Sequence, residues 1–240
     1  MDEVEREGDG VFERKREVIA QTIPKRYSPW FHLAAPSSFG LAVCITALLR
    51  IHAPTWIELI VFPLTLVFGF AFEWRVHKSV LHQRKPGLGI LYVRHELHHH
   101  VAYRHYDMAM RSPRELYLIL MPPYAIVLVA CVDAPLAILL YLAWSVNAAM
   151  LYLVGSMLFF LAYELLHAAY HVPETHFIGR LSLVRTLREL HRTHHDPSLM
   201  KRWNFNVTVP LFDWLHGTLW SPERAERRAA ERARTRDAHG

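Results

Sequence analysis

Leu190-His191-Arg192-Thr193-His194-His195-Asp196 echoes an earlier stretch, His95-Glu96-Leu97-His98-His99-His100. Both contain His-x-x-His-His, which on an α-helix puts imidazoles at i, i+3 and i+4, on one face. Two pairs stand beside them: His77 and His82, separated by four residues, and His167 and His171, separated by three. The four clusters use ten of the seventeen histidines, each at the polar end of an apolar segment. A lone histidine in a loop is ordinarily polar surface, and His32, His52, His176, His216 and His239 read that way. Four clusters in a fixed order do not.

Neutral imidazole suits Fe, Zn, Cu and Ni, and ten of them are enough for two ions. The candidate metal ligands are His77, His82, His95, His98, His99, His167, His171, His191, His194 and His195. In the run His98-His99-His100 the helical pattern selects the first two. His100 and His105 are left as outer hydrogen-bond donors or exposed residues. On an α-helix the i, i+5 spacing of His77 and His82 turns the second ring away, so that pair is expected to straddle a helix end. Each cluster also has a carboxylate close by: Glu73, Glu96, Glu164 and Asp196. Metal-bound histidines usually donate their second N–H to such a group. Glu164 is the sharpest case, because a carboxylate inside an apolar helix is costly unless paired. Glu96 and Asp196 read more simply as solvated interface charges.

Outward from the clusters, the chain alternates apolar and polar. Residues 39–49 and 56–72 are apolar runs split by Arg50-Ile51-His52-Ala53-Pro54, and they are expected to form a membrane hairpin. A span needs about 20 residues, so the first run suffices only if its helix starts near Phe31 and tolerates Pro36. Residues 116–132 are apolar with an expected kink at Pro122-Pro123, and Asp133-Ala134-Pro135 marks a turn. Residues 136–166 then read as one helix roughly 46 Å long, exceeding a bilayer core of about 30 Å. Its protruding end carries His167 and His171. The expected organisation is a polar leader over 1–35, flexible or amphipathic. A membrane domain over 36–222 and a charged tail over 223–240 follow it.

Of the 27 Lys and Arg, six precede Pro36, eight lie in 75–114, twelve follow His171, and only Arg50 falls in an outer loop. The positive-inside rule therefore puts both termini and all four clusters on the cytoplasmic side. This asymmetry accounts for the net charge of +5 without nucleic acid as a partner. The first residues lack the apolar core of a signal peptide. Cys44 and Cys131 lie far apart in apolar runs and give no disulfide or thiolate site. Abundant arginine and alanine favour a bacterial inner membrane over the endoplasmic reticulum.

The order His-x4-His, His-x2-His-His, His-x3-His, His-x2-His-His resembles the integral-membrane fatty acid 2-hydroxylases of the fatty acid hydroxylase/sterol desaturase superfamily. Residues 203–214, from Trp203-Asn204 to Asp213-Trp214, and His216-Gly217-Thr218-Leu219 resemble that family's segment after its last histidine box. Asn206 stands where the family usually has Gly. The resemblance implies an all-α fold of about four transmembrane helices, with a cytosolic helical cap holding a histidine-rich dimetal site. It implies two iron ions that activate O2, with zinc able to replace iron in purified protein. It also implies a membrane lipid substrate and a separate electron donor of the cytochrome b5 or ferredoxin kind. Glu73, Glu164, Asp196, Asn204 and Asp213 become the expected supports of the ligands. The reaction implied is hydroxylation of the acyl chain of a fatty acid or sphingolipid-type lipid, at carbon 2. The alternatives are a sterol or carotenoid hydroxylase or desaturase and, from other classes, a membrane metal transporter or a zinc hydrolase. A transporter would place ligands along a path within the spans. A zinc hydrolase would need fewer ligands and an open water position beside a general base, as in the pattern His-Glu-x-x-His, which His95-Glu96-Leu97-His98-His99 also spells.

Overall fold

The structure, a computed structural model, describes residues 3–237, with side chains over 10–230; His239 lies outside the described residues. Among these the chain is all-helical, and its one bridge pair joins Arg104 to Asp107. The helices are α1 (Glu3–Ala20), α2 (Pro29–Leu48), α3 (Trp56–Leu59), α4 (Val61–Val76), α5 (Gly89–Tyr92) and α6 (His100–Ala102). They are followed by α7 (Leu116–Ile119), α8 (Ala125–Ala143), α9 (Val146–Tyr170), α10 (Ser182–His194), α11 (Leu211–Leu215) and α12 (Pro222–Asp237). Two π-helical segments, His77–Leu81 and Val93–His99, extend α4 and α5.

Four helices are long and apolar enough to cross a membrane: Pro29–Leu48, Trp56–Leu81, Ala125–Ala143 and Val146–Tyr170. The first reaches spanning length as expected, starting at Pro29 behind its cap Ser28 and accommodating Pro36. Helix α9 is the central post. Cys44, Ile126, Met157 and Leu161 pack together where α2 and α8 meet it, and Val61, Ala137, Ala148 and Tyr152 pack near its start. With no hydrophobic drive between helices in lipid, close approach comes from small residues. A Cβ on Gly69 would lie 2.7 Å from the Phe159 ring, and one on Gly155 would lie 2.9 Å from Thr65 Cβ. The outer faces carry exposed Ile45, Leu64, Phe68, Leu128, Leu139 and Leu142, the apolar surface a bilayer solvates.

The second hairpin differs from expectation. Asp133-Ala134-Pro135 is no turn but the middle of α8. The Asp133 carboxylate is satisfied within the bundle by Tyr152 Oη (2.6 Å) and Ser156 Oγ (2.5 Å). The break falls at Trp144-Ser145 instead. There Ser145 Oγ accepts from Ala148 N (3.1 Å) and donates to Glu58 (2.5 Å), capping α9. The expected 31-residue rod is therefore a 25-residue helix, about 37 Å long.

Pro122-Pro123 does more than kink a helix. It ends α7 outright, and the freed backbone at Met121 is satisfied by side chains, as burial away from water demands. Met121 N donates to Glu164 (3.0 Å) and Met121 O accepts from His32 Nε2 (2.7 Å). His32, read from sequence as polar surface, is thus a buried structural group.

Helix α1 is docked. Phe12, Arg16 and Ile19 form its buried face. Arg16 donates to Asp107 (2.8 Å), Glu115 (2.8 Å) and Ala109 O (2.7 Å), clamping the loop between α6 and α7. At the other side of the cap, Arg188 is 2% exposed and donates to Tyr170 O (2.9 Å), Ala169 O (3.1 Å) and Val172 O (2.9 Å). These are the free carbonyls at the C-terminus of α9, where a cation is favoured.

Candidate metal centre

The ends of α4, α9 and α10 and the π-segment Val93–His99 converge at one end of the bundle. His77, His82, His95, His100 and His194 present ring nitrogens within 4.8 Å of one another, and so do His99, His167, His171 and His191. All nine are buried. His195, 0% exposed, joins the second group, with Nε2 3.1 Å from His99 Nε2 and 3.0 Å from His191 Nε2. The groups abut, the His99 and His100 rings lying 5.4 Å apart.

Six of the ten rings are oriented from behind. His77 Nδ1 donates to Phe205 O (2.5 Å), His99 to Leu118 O (3.2 Å) and His171 to Met108 O (2.7 Å). His194 Nδ1 donates to Trp203 O (3.0 Å) and His195 Nδ1 to Tyr103 O (2.8 Å). His82 Nδ1 meets the Glu96 carboxylate at 2.5 Å. A carbonyl or carboxylate only accepts, so the proton sits on Nδ1 and Nε2 carries a lone pair. His82 and His194 then face each other lone pair to lone pair at 3.0 Å, and so do His99 and His195 at 3.1 Å. Two acceptors at that distance repel unless a Lewis acid lies between them. One such pair belongs to each group. His171 Nε2, fully buried, has no hydrogen-bond partner among the described residues, which is how a metal-ligating nitrogen looks without its ion. The donor set fits two ions.

Outside the spans, the rings of His95, His99, His100, His171, His191, His194 and His195 are all held well below the ordinary imidazole range. Burial is the main cause and neighbouring histidines add to it. They are therefore neutral and competent as ligands at neutral pH. Folded-state values below the unfolded one of about 6.5 mean that the unfolded chain binds more protons as pH falls. Metal-free protein is expected to lose thermal stability steadily as pH drops from 7.5 towards 5.5. A midpoint that stays flat or rises would contradict buried neutral rings. Asp213, whose carboxyl burial pushes up, acts in the opposite sense to these seven rings.

The profile of the fatty acid hydroxylase family matches residues 61–218, a span holding every histidine of both groups. The chain belongs to the fatty acid hydroxylase family. Comparison with curated protein sequences gives no match. Among solved structures, the fold is similar to that of full-length Scs7p, of which only the hydroxylase domain is visible. The TM-score is 0.54 at 20% identity, over 81% of this chain and 67% of that one.

Within this hydroxylase fold, nine of the ten histidines expected from sequence lie in the two groups. His98 does not, and His100 takes its place. The reason is the π-helix over Val93–His99. Its i→i+5 hydrogen bonding brings i, i+4 and i+5 to one face, so His95 aligns with His99 and His100 rather than with His98. The same geometry over His77–Leu81 stacks the His77 and His82 rings at 5.1 Å, where an α-helix would part them. His98→Ala is therefore expected to keep metal content and fold near wild type, whereas His100→Ala lowers metal content. Metal analysis of the two purified variants side by side checks this, and the reverse order would contradict the π-helical register.

The carboxylates also differ from expectation. Glu96, read as a solvated charge, is 6% exposed and holds His82, with Lys201 Nζ 2.9 Å from its other oxygen. Glu164 serves the backbone at Met121, and Asp196 caps its own turn through Ser198 N (2.8 Å). Neither touches a histidine. Glu73 and Asp213 act one step further out, on the loop that supplies carbonyls to the ligands. Glu73 accepts from Val207 N (2.5 Å) and Thr208 Oγ1 (2.6 Å), and Asp213 accepts from Phe205 N (3.0 Å) and Asn206 N (2.7 Å). Asn206 bridges them, donating to Glu73 (3.0 Å) while its carbonyl oxygen accepts from Asp213 N (3.2 Å). Asn204, at φ 54°, donates to Leu190 O (2.9 Å) and accepts from Trp220 N (2.8 Å). This fixes the turn that aims Trp203 O at His194.

Proposed function

We propose that this protein is an O2-dependent di-iron hydroxylase of the acyl chain of a fatty acid or sphingolipid-type lipid, acting at carbon 2. The reading is carried by the two pairs of facing Nε2 lone pairs, His82 with His194 and His99 with His195. A pair of iron ions held by the two groups would supply the O2 activation and hydrogen abstraction that imidazole and carboxylate cannot. The chain's own residues do the rest. Backbone carbonyls of Phe205, Leu118, Met108, Trp203 and Tyr103 lock the ring orientations. Burial keeps the rings neutral and excludes water that would quench a reactive oxidant. The substrate would arrive from the bilayer beside the spans, electrons from a separate donor protein, and the basic flanks favour a cytoplasmic active face.

The test is anaerobic iron reconstitution of purified protein, exposure to O2 with a chemical reductant, and mass analysis of added lipids. A gain of one oxygen on the acyl chain, together with about two irons bound per chain, is expected on this reading. Loss of two hydrogens would indicate a desaturase, a ring-modified isoprenoid would indicate a sterol or carotenoid enzyme, and a single bound ion would overturn the dimetal reading.

A further inference from the structure

A cleft of about 710 Å³ opens where the α1–α2 connection meets the broken α7–α8 junction, lined by Arg26, Phe31, Ile90, Arg94, Pro122 and Tyr124 among others. Its lining is apolar and basic and contains no Asp or Glu. Arg94 also lines a second, much narrower gap of about 30 Å³, whose other walls include Leu118, Met121, His95, His99 and His167. One guanidinium thus stands at the junction between a roomy apolar cleft and the histidine groups. Its Nη2 donates to Tyr117 O (2.8 Å) and Leu120 O (3.3 Å), and its plane lies over the Tyr117 ring at 4.8 Å. Nη1 and Nε make no hydrogen bond to another described residue; the buried Glu164 carboxylate interacts with the Arg94 charge only through space, and Arg26 forms no ion pair among the described residues.

We propose that Arg94, assisted by Arg26, binds the carboxylate of a free, single-chain fatty acid, which lies head-first towards the histidine groups with its tail in the cleft. The inference rests on the hydroxylase reading above and narrows its substrate. Three observations support it. The cleft, at 710 Å³, is within the size range of small-molecule sites and has room for an acyl chain. The gap, at about 30 Å³, has room for only a few atoms, so only the carbons beside the head group reach the histidines. An arginine fork with free N–H groups matches a carboxylate bidentately. A neutral amide-linked lipid would offer no charge to Arg26 or to the free N–H groups of Arg94. Head-first binding also places the carbon next to the carboxylate nearest the histidine groups, in keeping with oxidation at carbon 2.

The test is competition for tritiated palmitate on the full-length protein in nanodiscs of zwitterionic lipid, without reductant, so that nothing turns over. Unlabelled palmitate is expected to compete about tenfold or more better than methyl palmitate, which keeps the chain and removes the charge. Arg94→Gln, which removes the charge and keeps an amide donor, is expected to weaken palmitate about tenfold and leave methyl palmitate unchanged. Arg26→Gln, on an exposed position, is expected to weaken palmitate by a smaller factor and guards against misfolding of the first variant. Equal competition by the ester, stronger competition by lysophosphatidate, or wild-type binding in both variants would overturn the proposal. Because binding is read without turnover, the absence of oxygenated product would defeat the hydroxylase reading and not this site.

Discussion

Replacing His99 with alanine is expected to abolish turnover and sharply lower the metal content of the purified protein. His99 is the hub of its group, with Nε2 3.1 Å from both His167 Nε2 and His195 Nε2, while its Nδ1 is held by Leu118 O. Removing it takes away a ligand nitrogen and leaves His195, whose lone pair is aimed at the same point, and His167 without their neighbour. The loss should exceed the roughly 10–100-fold typical of residues that only orient a ligand. Glu96→Gln, which weakens the hold on His82 without removing a ring, is the internal standard and should fall within that range. Metal analysis and lipid product yield, measured on the same preparations, check both. Activity near wild type in His99→Ala would mean that the cluster is not the reacting centre.

Glu73→Ala is expected to cost the most stability of any single change outside the histidines. The carboxylate, 5% exposed, accepts from Asn206 Nδ2 (3.0 Å), Val207 N (2.5 Å), Thr208 N (3.0 Å) and Thr208 Oγ1 (2.6 Å). Alanine leaves four donors without a partner where water is scarce, at about 1–3 kcal/mol each. Even the lower end, about 4 kcal/mol, is a large part of a typical margin of 5–15 kcal/mol. The loop 205–208 would loosen, and with it the Phe205 carbonyl that orients His77. Glu73→Gln keeps one acceptor oxygen and should fall between alanine and wild type. Denaturant or thermal unfolding in detergent measures the order, and unfolding of the alanine variant at the wild-type midpoint would remove Glu73 from this role. Asp196→Ala, which loses only a partly exposed turn contact, should change stability by about 0.5 kcal/mol or less.

The metal-site chemistry was legible because four histidine clusters at the ends of apolar runs have no ordinary structural use, and nine of the ten expected rings meet in space. What failed was register. His98 was preferred over His100 on α-helical spacing, and a π-helix is not announced by the identity of any single residue. Glu96 was misjudged because its burial depends on His82 and Lys201 arriving from elsewhere in the chain. Arg16 and α1 were passed over because a mixed-charge leader has no pattern that names its distant partners, Asp107 and Glu115.

By itself the sequence determined the class of molecule: apolar runs long enough to span a bilayer, basic residues gathered in the segments that flank them, and imidazoles in numbers and spacing that could hold metal. These follow from composition and local spacing, which a chain carries whether folded or not. Tertiary structure alone decided which histidine of a triple run faces inward, where the second hairpin turns, and which acid serves a ring rather than a broken helix. Those outcomes depend on hydrogen-bond partners more than fifteen residues away, such as Met121 for Glu164, Phe205 for His77 and Tyr103 for His195. A buried polar group takes whatever partner the packed fold brings to it.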